Sequence, residues 1–145
     1  MAAVRDKGHA AVEFALAVVV LLVPAALVVT AFGPWSERRV FAESAAAETA
    51  RVAVVELEHA AGVAVLTQSA SNHGLDADMV RVGWCGANPG PLDSPGGSCP
   101  MIRGSSVEVR VDVWTPMVST PWGAVGGLWI TATHIEPVDL YRSLG

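Results

Sequence analysis

Positive charge is scarce in this 145-residue chain: 9 Lys+Arg stand against 14 Asp+Glu, for a formal net charge of −5. That balance leaves no basic footprint for a phosphate backbone, so nucleic acid is not an expected partner. Charge of either sign is thin, at 16% of residues, and with 52% hydrophobic content the chain is no highly charged disordered polymer. Cysteine is limited to two residues, too few for a disulfide scaffold or a Cys-only zinc site. Catalytic signatures are missing as well. There is no Gly-x-Ser-x-Gly, no His-Glu-x-x-His, no phosphate-cradling loop and no Cys-His pair at ligand spacing. His9, His59, His73 and His134 share no local setting. We therefore expect no enzyme, no metal, no cofactor and no small-molecule substrate. The length is that of one domain.

The apolar excess is concentrated near the front. Between Glu13 and Glu37, 23 consecutive residues carry no charge. As a helix they would extend roughly 34 Å, slightly more than a hydrocarbon core of about 30 Å. Residues 9–36 are accordingly expected to form a transmembrane helix, kinked at Pro24 and bent or broken at Gly33-Pro34. Arg5 and Lys7 favour a cytoplasmic N-terminus, although Arg38 and Arg39 follow the run. Residues 37–145 would then be extracytoplasmic. There Cys85 and Cys99 bracket a Gly-, Pro- and Ser-rich loop, and a disulfide between them is expected. Closing that loop would stabilise the fold by about 3 kcal/mol. A secretory signal ending at Val29-Thr30-Ala31 competes for the front. The run is longer than a usual h-region of about 7–15 residues, and Glu13 stands near its start.

Glu13 is the sharpest feature. A carboxylate at the edge of hydrocarbon costs several kcal/mol unless it is paired, and Leu16 and Ala17 occupy the positions one turn downstream. Its partner must come from the chain's own start, a lipid headgroup or another molecule. The surrounding residues read Gly8-His9-Ala10-Ala11-Val12-Glu13-Phe14: a glycine, four residues, then Glu and an aromatic. This pattern resembles the processing site of type IV pilin-like proteins, and more specifically the TadE-like family of the tight-adherence, Flp-type pilus system. The resemblance implies a minor pilin or pseudopilin whose leader, residues 1–8, is cut between Gly8 and His9 by a prepilin peptidase. It implies processing or assembly roles for Glu13 and Phe14, with the bilayer, other pilin subunits and the assembly machinery as partners. A freshly exposed α-amino group on a neighbouring subunit, with pKa near about 8, is the cation such a carboxylate lacks. Asp6 in the leader and His9 after it depart from the family pattern. The alternative is an uncleaved, single-span anchor carrying an extracytoplasmic binding module.

Beyond the anchor, residues 37–69 read as an Ala-rich helix whose only glycine is Gly62. Val52, Val55, His59, Val63 and Leu66 fall on one stripe, which makes His59 a core residue. Arg39 with Glu43, and Glu48 with Arg51, are spaced to pair along an exposed side. Asn72-His73-Gly74 reads as a turn, with His73 in solvent. Strands are expected at 79–84, 107–114 and 128–135, with a long Pro- and Gly-containing loop over 115–127. Alternation puts Val107, Val109, Val111 and Val113 on one buried face. Trp114, Trp122 and Trp129 fit an interface or adhesive patch, or cover over a thin core. His134 and Glu136 share a face. The expected fold is α+β: a long helix packed by a small antiparallel sheet within 79–136, as in pilin-like proteins.

Overall fold

In the computed structural model the backbone is described over residues 9–120 and 122–140, and the side chains there except at 9, 27, 30–31 and 118–120. The leader 1–8, with Gly8, lies outside the described residues. The first helix, α1 (His9–Glu56), is one element of 48 residues. It runs through Pro24 and also through Gly33-Pro34, where a bend or break was expected. Proline takes a helical φ of its own, so each removes a hydrogen bond without ending the helix. Among the described residues, no helix is long and apolar enough to cross a membrane.

The helix expected over 37–69 is two helices. After Glu56 the chain enters the left-handed region at Leu57 (φ 56°), and the Glu58 amide donates to the Ala53 carbonyl at 3.0 Å. That six-residue closure ends α1 in the manner of a Schellman motif, without the usual glycine. The second helix, α2 (His59–Asn72), folds back so that Gly62 meets α1. A methyl group on Gly62 would stand 2.8 Å from the Thr49 carbonyl oxygen and 3.1 Å from the Ala53 Cβ. The reversal divides the expected stripe: Leu66 is buried, Val52 and Val63 are half-buried, and Val55 faces out. α2 ends as read, with Gly74 at φ 65° and the Leu75 amide bonded to the Ala70 carbonyl at 2.9 Å.

A 3₁₀ turn at Ala77–Met79 leads into the sheet. Its strands are β1 (Val80–Trp84), β2 (Gly90–Pro91), β3 (Ser106–Thr120) and β4 (Gly123–Pro137), in the order β2-β1-β3-β4 and antiparallel throughout. The fold is therefore α+β, with three helices and a four-stranded antiparallel sheet among the described residues. β2 was not foreseen. The loop expected over 115–127 is instead the distal half of a hairpin, with Thr120 opposite Gly123. Prolines and glycines are tolerated there because β3 pairs with β1 only up to Val113, so Pro116 lies where β3 has one neighbour.

The core lies where α1 and α2 meet the sheet. Phe41, Ala42, Ala45, Ala46, Ala50 and Ala53 of α1 are buried with Val107, Val109, Val111 and Val113 of β3. Alanine keeps the helix close to the pleat, and the strict alternation of β3 supplies a continuous apolar face. The opposite face is less solvated than expected. Asp112 is buried and accepts hydrogen bonds from the Thr131 hydroxyl at 2.8 Å and Arg110 Nε at 3.3 Å. Beside it, Trp114 packs on Trp129 at 5.5 Å and over Gly127, and the Arg81 guanidinium sits 4.1 Å from the Trp129 ring centroid. Trp129 thus covers the outer face of the sheet and not the core.

Candidate functional site

The N-terminal part of α1 does not pack on the domain. Its described large apolar side chains, from Val12 and Phe14 to Val23 and then Val28 and Val29, stand 50–73% exposed, apart from half-buried Val18. An apolar surface of that extent marks an interaction site in a folded protein. Glu13 is exposed at its start and has no ion-pair partner among the described residues. Phe14, its neighbour, is 73% exposed. His9 opens the helix. Burial sets in at Phe41, between the two members of the exposed Arg39–Glu43 ion pair at 3.0 Å. The same 48-residue element is thus bare at one end and enclosed at the other.

Between these ends lies an apolar cleft of about 280 Å³ lined by Phe32 and Trp35 of α1 and by Thr115, Pro116, Met117 and Leu128 of the hairpin. Phe32 and Trp35 meet edge to face at 6.0 Å, and Arg39 lies 5.8 Å from the Trp35 ring centroid. Trp122 at the hairpin tip is 93% exposed. The cleft and the extended hairpin were missed in the sequence. The signal that could have found them is the absence of any charged residue between Asp112 and His134.

At the far end of the sheet, Cys85 and Cys99 form the expected disulfide, with a Cα–Cα separation of 6.0 Å. The loop it closes is tied to β1, the Gly96 amide donating to Val82 and the Trp84 amide to Gly96, both at 2.9 Å. His59 holds the loop's end: the Cys99 amide donates to its Nε2 at 3.4 Å, and its ring meets Trp84 edge-on at 4.6 Å. Accepting that bond requires the neutral ring. Desolvation by burial lowers the His59 pKa from its ordinary value of 6.5.

A pH dependence follows from that direction. With the folded pKa below the unfolded one, the unfolded chain binds more protons as pH falls. The His59 contribution is therefore complete above pH 6.5 and is lost as pH drops through 6.5 towards the lower folded pKa. His59→Gln keeps a hydrogen-bond acceptor but does not titrate. Urea unfolding from about pH 7.5 to about pH 5 should show wild type losing more stability than this variant. Parallel losses would show that His59 does not titrate with folding.

The remaining candidates stay separate. His134 pairs with Glu136 at 3.1 Å beside a groove lined by Glu48 and Arg51 of α1. His73 is exposed, next to Phe41 at 4.8 Å. Among the described residues, no group of three His, Cys, Asp or Glu side chains could hold a metal ion. No family model matches the chain, and neither the curated proteins nor the solved structures contain a match.

Proposed function

We propose that the chain is a membrane-anchored minor pilin or pseudopilin of TadE type, acting in assembly of a tight-adherence pilus or a related secretion apparatus. The observation that carries this reading is the division of α1. One uninterrupted helix has an exposed, uncharged apolar end and a C-terminal end buried under an antiparallel sheet. The uncharged run of 23 residues falls within that helix, and its length in the sequence is the support for a span. The N-terminus lies in the cytoplasm and the disulfide-bonded domain outside the cell membrane. A prepilin peptidase removes residues 1–8, leaving His9 first. The apolar end then leaves lipid for a bundle of like helices, where Glu13 sets the register by meeting the α-amino group of a neighbouring subunit.

Intact-mass measurement of the native, membrane-extracted protein tests the reading directly. Loss of residues 1–8 is the expected result. A retained leader would leave an anchored binding module, and loss through Ala31 would indicate a secreted domain. Glu13→Val tests the assembly role. The variant should insert into the membrane as stably as wild type, since an apolar residue replaces an unpaired acid, yet be absent from sheared pilus fractions. Assembly at wild-type levels would remove Glu13 from the mechanism.

A further inference from the structure

We propose that Cys85, Cys99 and His59 form a thiol–disulfide exchange site, in which Cys85 meets an outside disulfide or thiol and His59 takes the proton of Cys99. The proposal needs only the fold of the domain and not the membrane reading. Exposure sets the roles of the two sulfurs. Cys85 is exposed where the chain leaves β1, whereas Cys99 is half-buried against the core. An outside reagent therefore reaches Cys85 first, and Cys99 is the inner sulfur. His59 Nε2 lies 3.8 Å from Cys99 Sγ. The reversal at Leu57 brings His59 to that position, and its ring is fixed edge-on against Trp84. Among the described residues no ion pair engages His59; β1 and the loop present Trp84 and Cys99 to it, and the nearby Glu56 and Glu58 are exposed. Burial keeps the ring neutral at pH 7, so Nε2 carries a lone pair.

The reduced chain keeps this arrangement. The Cys85 amide donates to the Glu108 carbonyl at 2.8 Å and the Gly96 amide to the Val82 carbonyl at 2.9 Å, and neither bond uses the disulfide. Exchange then runs in two steps. The Cys85 thiolate attacks an outside disulfide, forming a mixed disulfide and releasing one thiolate, which is protonated by water. Cys99 Sγ next passes its proton to His59 Nε2 and attacks Cys85 Sγ. The bond from Cys85 to the outside sulfur breaks, its electron pair leaves on that sulfur as thiolate, and the proton returns to it from His59 through water. The two cysteines are oxidised and the outside disulfide is reduced to two thiols. Without a base the second step is slow near neutrality: a thiol of pKa about 8.5 is mostly protonated, and half-burial of Cys99 disfavours its thiolate further. An imidazolium at Nε2 supplies the missing counterion. The long amide contact to the same nitrogen, 3.4 Å, is the bond that yields.

The test uses the full chain in detergent with glutathione as the outside reagent; the cysteines of the protein are both in the disulfide, so no other thiol competes. First, the oxidised chain is treated with reduced glutathione, quenched with iodoacetamide and mapped by peptide mass. Glutathione is expected on Cys85 and the alkyl group on Cys99; glutathione mainly on Cys99 overturns the assignment of the two sulfurs. Second, the reduced chain is mixed with oxidised glutathione, and the rate that no longer rises with its concentration is that of ring closure. Wild-type closure should be nearly flat from about pH 6.5 to about pH 8, because the proton moves within the pair. Closure in His59→Gln should follow the free thiolate, rising about tenfold per pH unit, and be about tenfold slower than wild type at the acid end. A variant with the flat wild-type profile overturns the role of His59. So does a wild-type rate that itself climbs about tenfold per pH unit, a result that does not depend on how the variant folds.

Discussion

Trp84→Ala is expected to lower the unfolding free energy by about 3–5 kcal/mol, the range for removing a large aromatic from a core. The side chain is 1% exposed at the end of β1, against Gly62 and His59 of α2. A methyl group on Gly62 would stand only 3.0 Å from its Cη2, and the His59 ring meets it at 4.6 Å. Collapse into the vacated space is blocked on one side by the α1–α2 contact at Thr49 and Ala53, and on the other by the chain reversal at Cys85 (φ 51°). A cavity should therefore persist, and its cost adds to the lost apolar burial. The indole Nε1 is buried without a partner among the described residues. Trp84→Phe removes that donor and keeps most of the apolar area, so it should cost less than about half as much as Trp84→Ala. Denaturant midpoints of the three full-length proteins in one detergent decide the matter. Equal losses for the two variants would mean that the indole nitrogen is bonded after all.

How far the fold was legible depends on how local its causes are. The valines at 107, 109, 111 and 113 were readable because side chains alternate along a strand, and all four are fully buried. The Asn72-His73-Gly74 turn was readable because a left-handed C-terminal residue favours glycine. The break at Leu57 carried no such signal. Leucine pays a steric penalty in the left-handed region, and it is held there because folding back lets Gly62 reach Thr49 and Ala53. The hairpin was misread for the converse reason. Pro116, Gly123, Gly126 and Gly127 indicate a loop when counted along the chain, yet they are compatible with a ladder paired on one side. At the candidate site, the bare apolar helix and Glu13 were visible as composition. The cleft of Phe32 and Trp35 against Met117 and Leu128 was not, because it joins segments distant in sequence whose relative level is set by the core.

Replacing both Cys85 and Cys99 with serine is expected to cost about 3 kcal/mol, the entropy of a closed loop near this size. The two residues are 14 apart in sequence. The loss should arise mainly in the unfolded chain. The folded loop keeps its amide bonds between Gly96 and β1, and the Cys99 backbone amide still reaches His59. Near-UV circular dichroism at neutral pH should therefore stay close to wild type while the urea midpoint falls. Wild type under reductant should match the double variant, since both lose the same constraint. The pairing with His59 gives a further check. The pH slope follows the folded pKa of His59, so a double variant that keeps this bond should lose stability below pH 6.5 as steeply as wild type. Should reduced wild type and the double variant both keep the oxidised midpoint, the disulfide would place no measurable constraint on the unfolded chain. The chain-entropy account would then fail for this domain.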